Sequence, residues 1–195
     1  MLQNFYKKGY NSVEKGKTEG AKAFTIAKEQ RDPAMVAYLA KQLMLQGIEV
    51  HESDSNYVVL TEQPYRNLAV SLLTPQAYPK DAKYPPYDAI AWTLPYLYGV
   101  KVEKKDSIDF DVNSLRLLSE NPTYMGKVNG QGSSYILKYK GQNTVLPALY
   151  AIKAANKNAE ISILPKQTVV DGDTVSAGTI LIRNIYTGNT PSDTV

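Results

Sequence analysis

The chain has 195 residues, 43% hydrophobic and 21% charged, which is enough apolar material for a self-sufficient core in one large domain. A net charge of +3, with lysines spread along the chain and only short local runs such as Lys7-Lys8 and Lys104-Lys105, does not single out a nucleic-acid partner. Cysteine is absent, which excludes disulfides, thiolate metal sites and a cysteine nucleophile together. His51 is the only histidine, so a Ser-His-Asp triad would have to use it, and a catalytic zinc site lacks its usual two or three histidines. No stretch approaches the ~18 apolar residues of a membrane span. The first residues, Met1 to Lys8, lack the basic-then-apolar order of a signal peptide and read as an arbitrary cut into a helical pattern, so an exported form implies a leader already lost.

In chain order, residues 1–20 are polar and hold three glycines. Leu2, Phe5, Tyr6, Tyr10 and Val13 recur at helical spacing, which predicts a short amphipathic helix followed by a linker. Ala21–Ala27 reads as a buried strand. Asp32 and Pro33 form a helix start, N-cap then first position, for a helix running through Leu45 with Met35, Val36, Leu39, Leu43 and Met44 as its apolar stripe. Gly47 closes it. Ile48–His51 and Tyr57–Leu60 read as strands around a turn at 53–56. Strand, helix, strand in this order predicts a parallel α/β sheet with a crossover helix. Gln63–Arg66 opens a second helix through Leu73, and 74–86 is a Pro/Tyr/Lys loop suited to a lid or docking surface.

The segment 85–100 is the densest apolar run. Pro86 suits the start of a short helix, Pro95 interrupts or kinks it, and Gly99 caps it before a strand at 100–103. A short helix is expected near 114–118. A second unit then echoes the first, with a strand at 134–139, a helix from Gln142 to about Ala155, a strand at 160–164, a turn at 171–173 and a strand at 178–183. The pattern, not the residue identity, repeats about 110 residues on. No helix follows the last strand, so the sheet reads as cut short.

Several local patterns resolve to ordinary structure. His51-x-x-Asp54 lacks a second histidine and reads as an exposed turn. Asp171-Gly172-Asp173 is a turn before it is a calcium ligand set. The glycine-rich 126–132 precedes a strand and lacks the Gly-Lys-Ser/Thr of a phosphate loop, and no Gly-x-Ser-x-Gly elbow follows. The polar residues that open helices beside a tyrosine, Arg66 and Asp88, have two readings. They are caps and surface ion pairs, or, with Tyr65, Tyr87 and Trp92, they line a ligand-binding cleft at the strand C-terminal edge.

Gln63-Pro64-Tyr65-Arg66-Asn67-Leu68-Ala69, then Pro86-Tyr87-Asp88, Ala91-Trp92-Thr93-Leu94-Pro95 and Gly99-Val100-Lys101-Val102 resemble the segment after the catalytic domain in bacterial zinc carboxypeptidase-like proteins of the carboxypeptidase A superfamily. The residues 23–33, 57–60, 133–139 and 175–183 agree with that resemblance, which spans most of 21–183. It implies a class I glutamine-amidotransferase-like α/β domain, three-layered with a mostly parallel sheet (flavodoxin-like), after an N-terminal helical arm or linker at 1–20. It implies a secreted or periplasmic parent whose zinc ligands and general base lie upstream. It carries no zinc ligand and no amidotransferase cysteine onto this chain.

The function expected is therefore a noncatalytic accessory domain at 21–195, without cofactor or metal. It would pack on the upstream peptidase domain of the same parent and use the loop 74–87 as contact surface. The alternative is a small-ligand or peptide-binding module built from Tyr65, Arg66, Tyr87, Asp88 and Trp92. A third reading is a hydrolase using carboxylates alone. None of the three involves nucleic acid or a membrane span.

Overall fold

The computed structural model describes residues 2–77, 80–81, 83–84, 91–170 and 172–185. The chain divides into two compact units, Met1–Thr123 and Tyr124–Val195, with a boundary inside the span 21–195. In the first unit the elements are α1 (Leu2–Thr18), β1 (Ala23–Ala27), α2 (Pro33–Leu45), β2 (His51–Glu52), β3 (Asn56–Leu60), α3 (Arg66–Leu73), α4 (Leu94–Tyr98), β4 (Glu103–Lys105), a 3-10 turn (Val112–Ser114) and β5 (Arg116–Leu117).

The strands form one five-stranded sheet in the order β4-β1-β3-β2-β5, and every neighbouring pair is antiparallel. This corrects the expected three-layer, mostly parallel α/β fold. The reason lies in the connection between β2 and β3. Only residues 53–55 separate them, and a parallel crossover needs a dozen or more residues. β3 therefore turns back as a hairpin and lies between β1 and β2, pairing with both. The helix crossover still leaves β1 and β2 pointing the same way, but they are not neighbours.

The core follows from this pairing. Phe24 faces Val59 and Ile26 faces Tyr57 across β1 and β3, so all four side chains share one sheet face. Val36, Leu39, Ala40 and Leu43 of α2, Ala69 and Leu73 of α3, and Ile48, Val50 and Val100 complete that core. α2 starts as its sequence dictates: Asp32 Oδ1 accepts from the Met35 amide at 3.2 Å, and Pro33 occupies the first turn. Gly47 follows the helix with φ of +80°, where a side chain would be strained.

Three local expectations are revised. α1 is a 17-residue helix that occupies most of the stretch read partly as linker. Pro95 sits in the first turn of α4 and does not interrupt a helix, while Gly99 closes it in the left-handed region as expected. Residues 112–118 hold a 3-10 turn and a two-residue strand in place of a helix. The helix expected from Pro86 lies outside the described residues.

The second unit contains β6 (Ser134–Leu137), α5 (Gln142–Ala155), β7 (Glu160–Ile163), β8 (Thr168–Val170), β9 (Asp173–Val175) and β10 (Ile180–Arg183). β10 lies between β6 and β7, antiparallel to both, and β8 pairs with β9 as a separate two-stranded ribbon. Val145, Ala159, Ile180 and Ile182 form its small core. Each unit thus contains strand, helix, strand and a later strand that inserts antiparallel between the first two. The echo in the sequence is one of topology.

Candidate functional site

The feature that stands out in the first unit is α1. Leu2, Phe5, Tyr6, Gly9, Val13 and Gly16 recur every three or four residues and so share one stripe of the helix. The C-terminal half of that stripe is covered. Gly16 is buried against the backbone of Thr61 and Glu62, and Gly9 faces Pro64. Polar contacts fix this half. Lys22 Nζ donates to the Lys17 carbonyl (2.7 Å) and the Gly16 carbonyl (3.4 Å), satisfying groups that a helix end leaves unpaired. Arg66 Nη2 donates to the Glu19 carbonyl at 2.9 Å, and Lys17 pairs with Glu62 at 3.6 Å.

The N-terminal half of the same stripe is uncovered. Leu2 is 86% exposed, Phe5 and Tyr6 72% each, and Tyr10 56%. Tyr6 and Tyr10 stack with ring centroids 6.4 Å apart, one turn from each other. The apolar stripe therefore continues for two turns past the surface that buries it.

A different flank of α1 is cationic. Lys7, Lys8 and Lys15 line a groove of about 370 Å³, together with the amides of Asn4, Asn11 and Asn67 and the buried Ser12. Asn67 comes from α3, and its Oδ1 accepts from Arg66 Nη1 at 3.0 Å.

Of the residues expected to line a cleft, Tyr87 and Asp88 lie outside the described residues, as does part of the loop 74–87. Tyr65 immediately precedes α3 and its ring packs on Gly47. Arg66 is the first residue of α3 and ties that helix to Glu19, just past the end of α1, through one hydrogen bond, while its bond to Asn67 stays within α3. Trp92 is 49% exposed, just ahead of α4, and no described hydrogen bond or ring contact joins it to Tyr65 or Arg66. The dense run expected in the core is thus split: Thr93, Pro95 and Val100 are buried, while Trp92, Tyr96 and Leu97 face outward.

His51 lies on β2, paired with Val58 and Leu117, rather than on an exposed turn. Burial lowers its pKa, against the opposing pull of Glu49 and a hydrogen bond with the Val58 backbone, and its Nδ1 has no partner among the described residues. Beside it, the half-buried Glu52 carboxylate is held by Lys28 Nζ at 3.1 Å and by Arg116. Lys28 also donates to the Ser53 carbonyl at 2.7 Å and sits over the Tyr57 ring. Desolvation lowers its pKa, the Asp54 charge opposing and the Arg116 charge adding to the effect. This cluster ties the end of β1 to β2 and β5, which is a structural task.

The residue that sequence reasoning passed over is Gln63. Its amide is 1% exposed, accepts from the Glu49 amide at 2.8 Å, and donates to the Glu49 carbonyl at 3.1 Å and the Leu60 carbonyl at 2.6 Å. Among the described residues no group of three or more His, Asp or Glu side chains is placed to hold a metal ion, and no helix is long and apolar enough to cross a membrane. Neither a family model, nor a curated protein, nor a solved structure matches the chain.

Proposed function

We propose that the chain is a noncatalytic docking module, and that its partner is the zinc carboxypeptidase-like domain of the same parent protein. The observation that carries this reading is the uncovered apolar stripe of α1, Leu2, Phe5, Tyr6 and Tyr10. A contiguous apolar patch of this kind marks an interaction site in a soluble protein, and aromatic residues dominate the energetics of such interfaces. The choice of partner rests on the resemblance of 63–69 and 86–102 to the segment that follows such a peptidase domain. In this reading the covered half of α1 sets the angle at which the helix leaves the body, and the uncovered half is the part the partner buries.

The test mixes the 195-residue chain with the separately produced peptidase-like domain of its parent and follows the complex by sedimentation. The wild-type chain forms a one-to-one complex. Phe5→Ala/Tyr6→Ala, which keeps helix propensity while deleting two exposed rings, weakens it by about tenfold or more, the scale of aromatic hot-spot truncations. An absent complex, or one that the double substitution leaves unchanged, overturns the proposal.

A further inference from the structure

The geometry points to the lysine-lined groove of α1 as a binding site for a small polyanion, a ligand carrying two or more phosphate or carboxylate groups. Lys7, Lys8 and Lys15 contribute three positive charges to one concavity, equal to the net charge of the whole chain. None of the three has an ion-pair partner among the described residues. The acid of α1, Glu14, is taken by Lys17 at 2.9 Å, and no carboxylate lines the groove. Three ammonium groups held on one helix face without a counter-charge focus a positive potential into the space between them.

The remaining lining residues suit the same ligand class. Asn67 has its oxygen engaged by Arg66 Nη1, so the amide group it has left to offer is a hydrogen-bond donor. Asn4 and Asn11 bring two more amides. Ser12 closes the floor of the groove at 3% exposure. Lys8 and Lys15 are seven residues apart, about 10 Å along the helix axis. That spacing and the groove volume of about 370 Å³ fit an elongated small molecule with charges at intervals better than a single monovalent ion. The groove lies on a flank of α1 other than the apolar stripe, so this inference stands independently of the docking reading.

The test titrates the full chain with tripolyphosphate and, separately, with citrate at low ionic strength, followed by calorimetry. Saturable one-site binding of tripolyphosphate alone supports a phosphoryl ligand. Binding of citrate alone supports a carboxylate ligand, and comparable binding of both supports a site that reads charge and not oxyanion type. In each case Lys8→Gln/Lys15→Gln weakens binding about tenfold or more, while Lys8→Arg/Lys15→Arg keeps it within about threefold, because charge and donors are retained. Raising salt from about 0.05 M to about 0.3 M weakens it severalfold. Far-UV circular dichroism checks that the helix survives in each variant. Failure of both anions to saturate, or binding that ignores the loss of Lys8 and Lys15, overturns the inference.

Discussion

Two glycines of α1 make opposed predictions from one structure. A glycine inside a helix is worse than alanine by about 1 kcal/mol, so propensity alone says that Gly9→Ala and Gly16→Ala both stabilise the chain. The surroundings differ. A Cβ on Gly9 would lie 3.9 Å from Pro64 Cβ, an ordinary contact. A Cβ on Gly16 would lie 2.2 Å from the Thr61 carbonyl oxygen and 2.6 Å from Glu62 Cα. That backbone cannot yield easily. Thr61 is fully buried, its amide donates to the Lys22 carbonyl at 3.0 Å, and its hydroxyl donates to the Ala21 carbonyl at 2.7 Å. The alternative is for α1 to lift away, which forfeits the Lys22 and Arg66 hydrogen bonds at about 1 kcal/mol each. Overpacking costs about 1–3 kcal/mol, and an approach this close to pinned backbone belongs at the upper end, which exceeds the propensity gain. With that gain of about 1 kcal/mol subtracted, Gly16→Ala is expected to destabilise by about 2 kcal/mol, and Gly9→Ala to stabilise by about 0.5–1 kcal/mol. Denaturant unfolding followed through Trp92, the one tryptophan and a member of the same unit, reads both. A Gly16→Ala chain as stable as wild type or more so would refute the close approach of α1 to residues 61–62.

Gln63→Leu removes the three hydrogen bonds that pin Glu49 and Leu60, and at about 1 kcal/mol each the expected loss is about 3 kcal/mol, measured as a drop in the denaturant midpoint. His51 gives a pH signature. Its folded pKa lies below the ordinary 6.5, so the neutral ring is the form the fold prefers. Stability from this residue is full above about 6.5 and falls as acid protonates the unfolded chain more readily than the folded one. His51→Gln is expected to flatten the stability slope between about pH 7 and pH 5, and an unchanged slope would remove His51 as its source.

The elements that sequence conveyed well were those with strong local chemistry. Asp32 and Pro33 announce α2, Gly47 and Gly99 close helices, and the short, largely buried apolar runs of 23–27 and 56–60 mark the paired strands at the heart of the first unit. Strand direction is legible too, in the length of one connection. Three residues between β2 and β3 permit only a hairpin, and that one turn decides antiparallel against parallel for the whole sheet. The repeat in the second half survives because β10 inserts between β6 and β7 as β3 does between β1 and β2. What sequence could not convey was tertiary compensation. Glycines at 9 and 16 argue against a helix by propensity, yet Gly16 is what lets α1 approach Thr61. Arg66 beside Tyr65 has the composition of a ligand-binding pair, but its guanidinium spans from α3 to the end of α1. A glutamine before a proline carries no sign that it will be buried and fully engaged, as Gln63 is.

The same helix carries an exposed apolar stripe and a cationic flank side by side. An apolar stripe that runs past its cover invites self-association through exposed rings. Lys7 and Lys8 fall directly after Phe5 and Tyr6 and on another flank, so these two rings are each followed within two residues by a charge that opposes like-with-like packing of two copies. A partner with an apolar seat and acidic surroundings meets no such opposition. On the docking reading proposed above, the lysines would act as a filter on what covers Phe5 and Tyr6, disfavouring a second copy of the chain and favouring an acidic partner. Replacing Lys7 and Lys8 with glutamine should therefore leave the fold intact and raise the tendency of the chain to self-associate. Sedimentation at increasing concentration reads this directly. A variant that stays monomeric at concentrations where the wild-type chain does would mean that the exposed stripe is not held apart by charge.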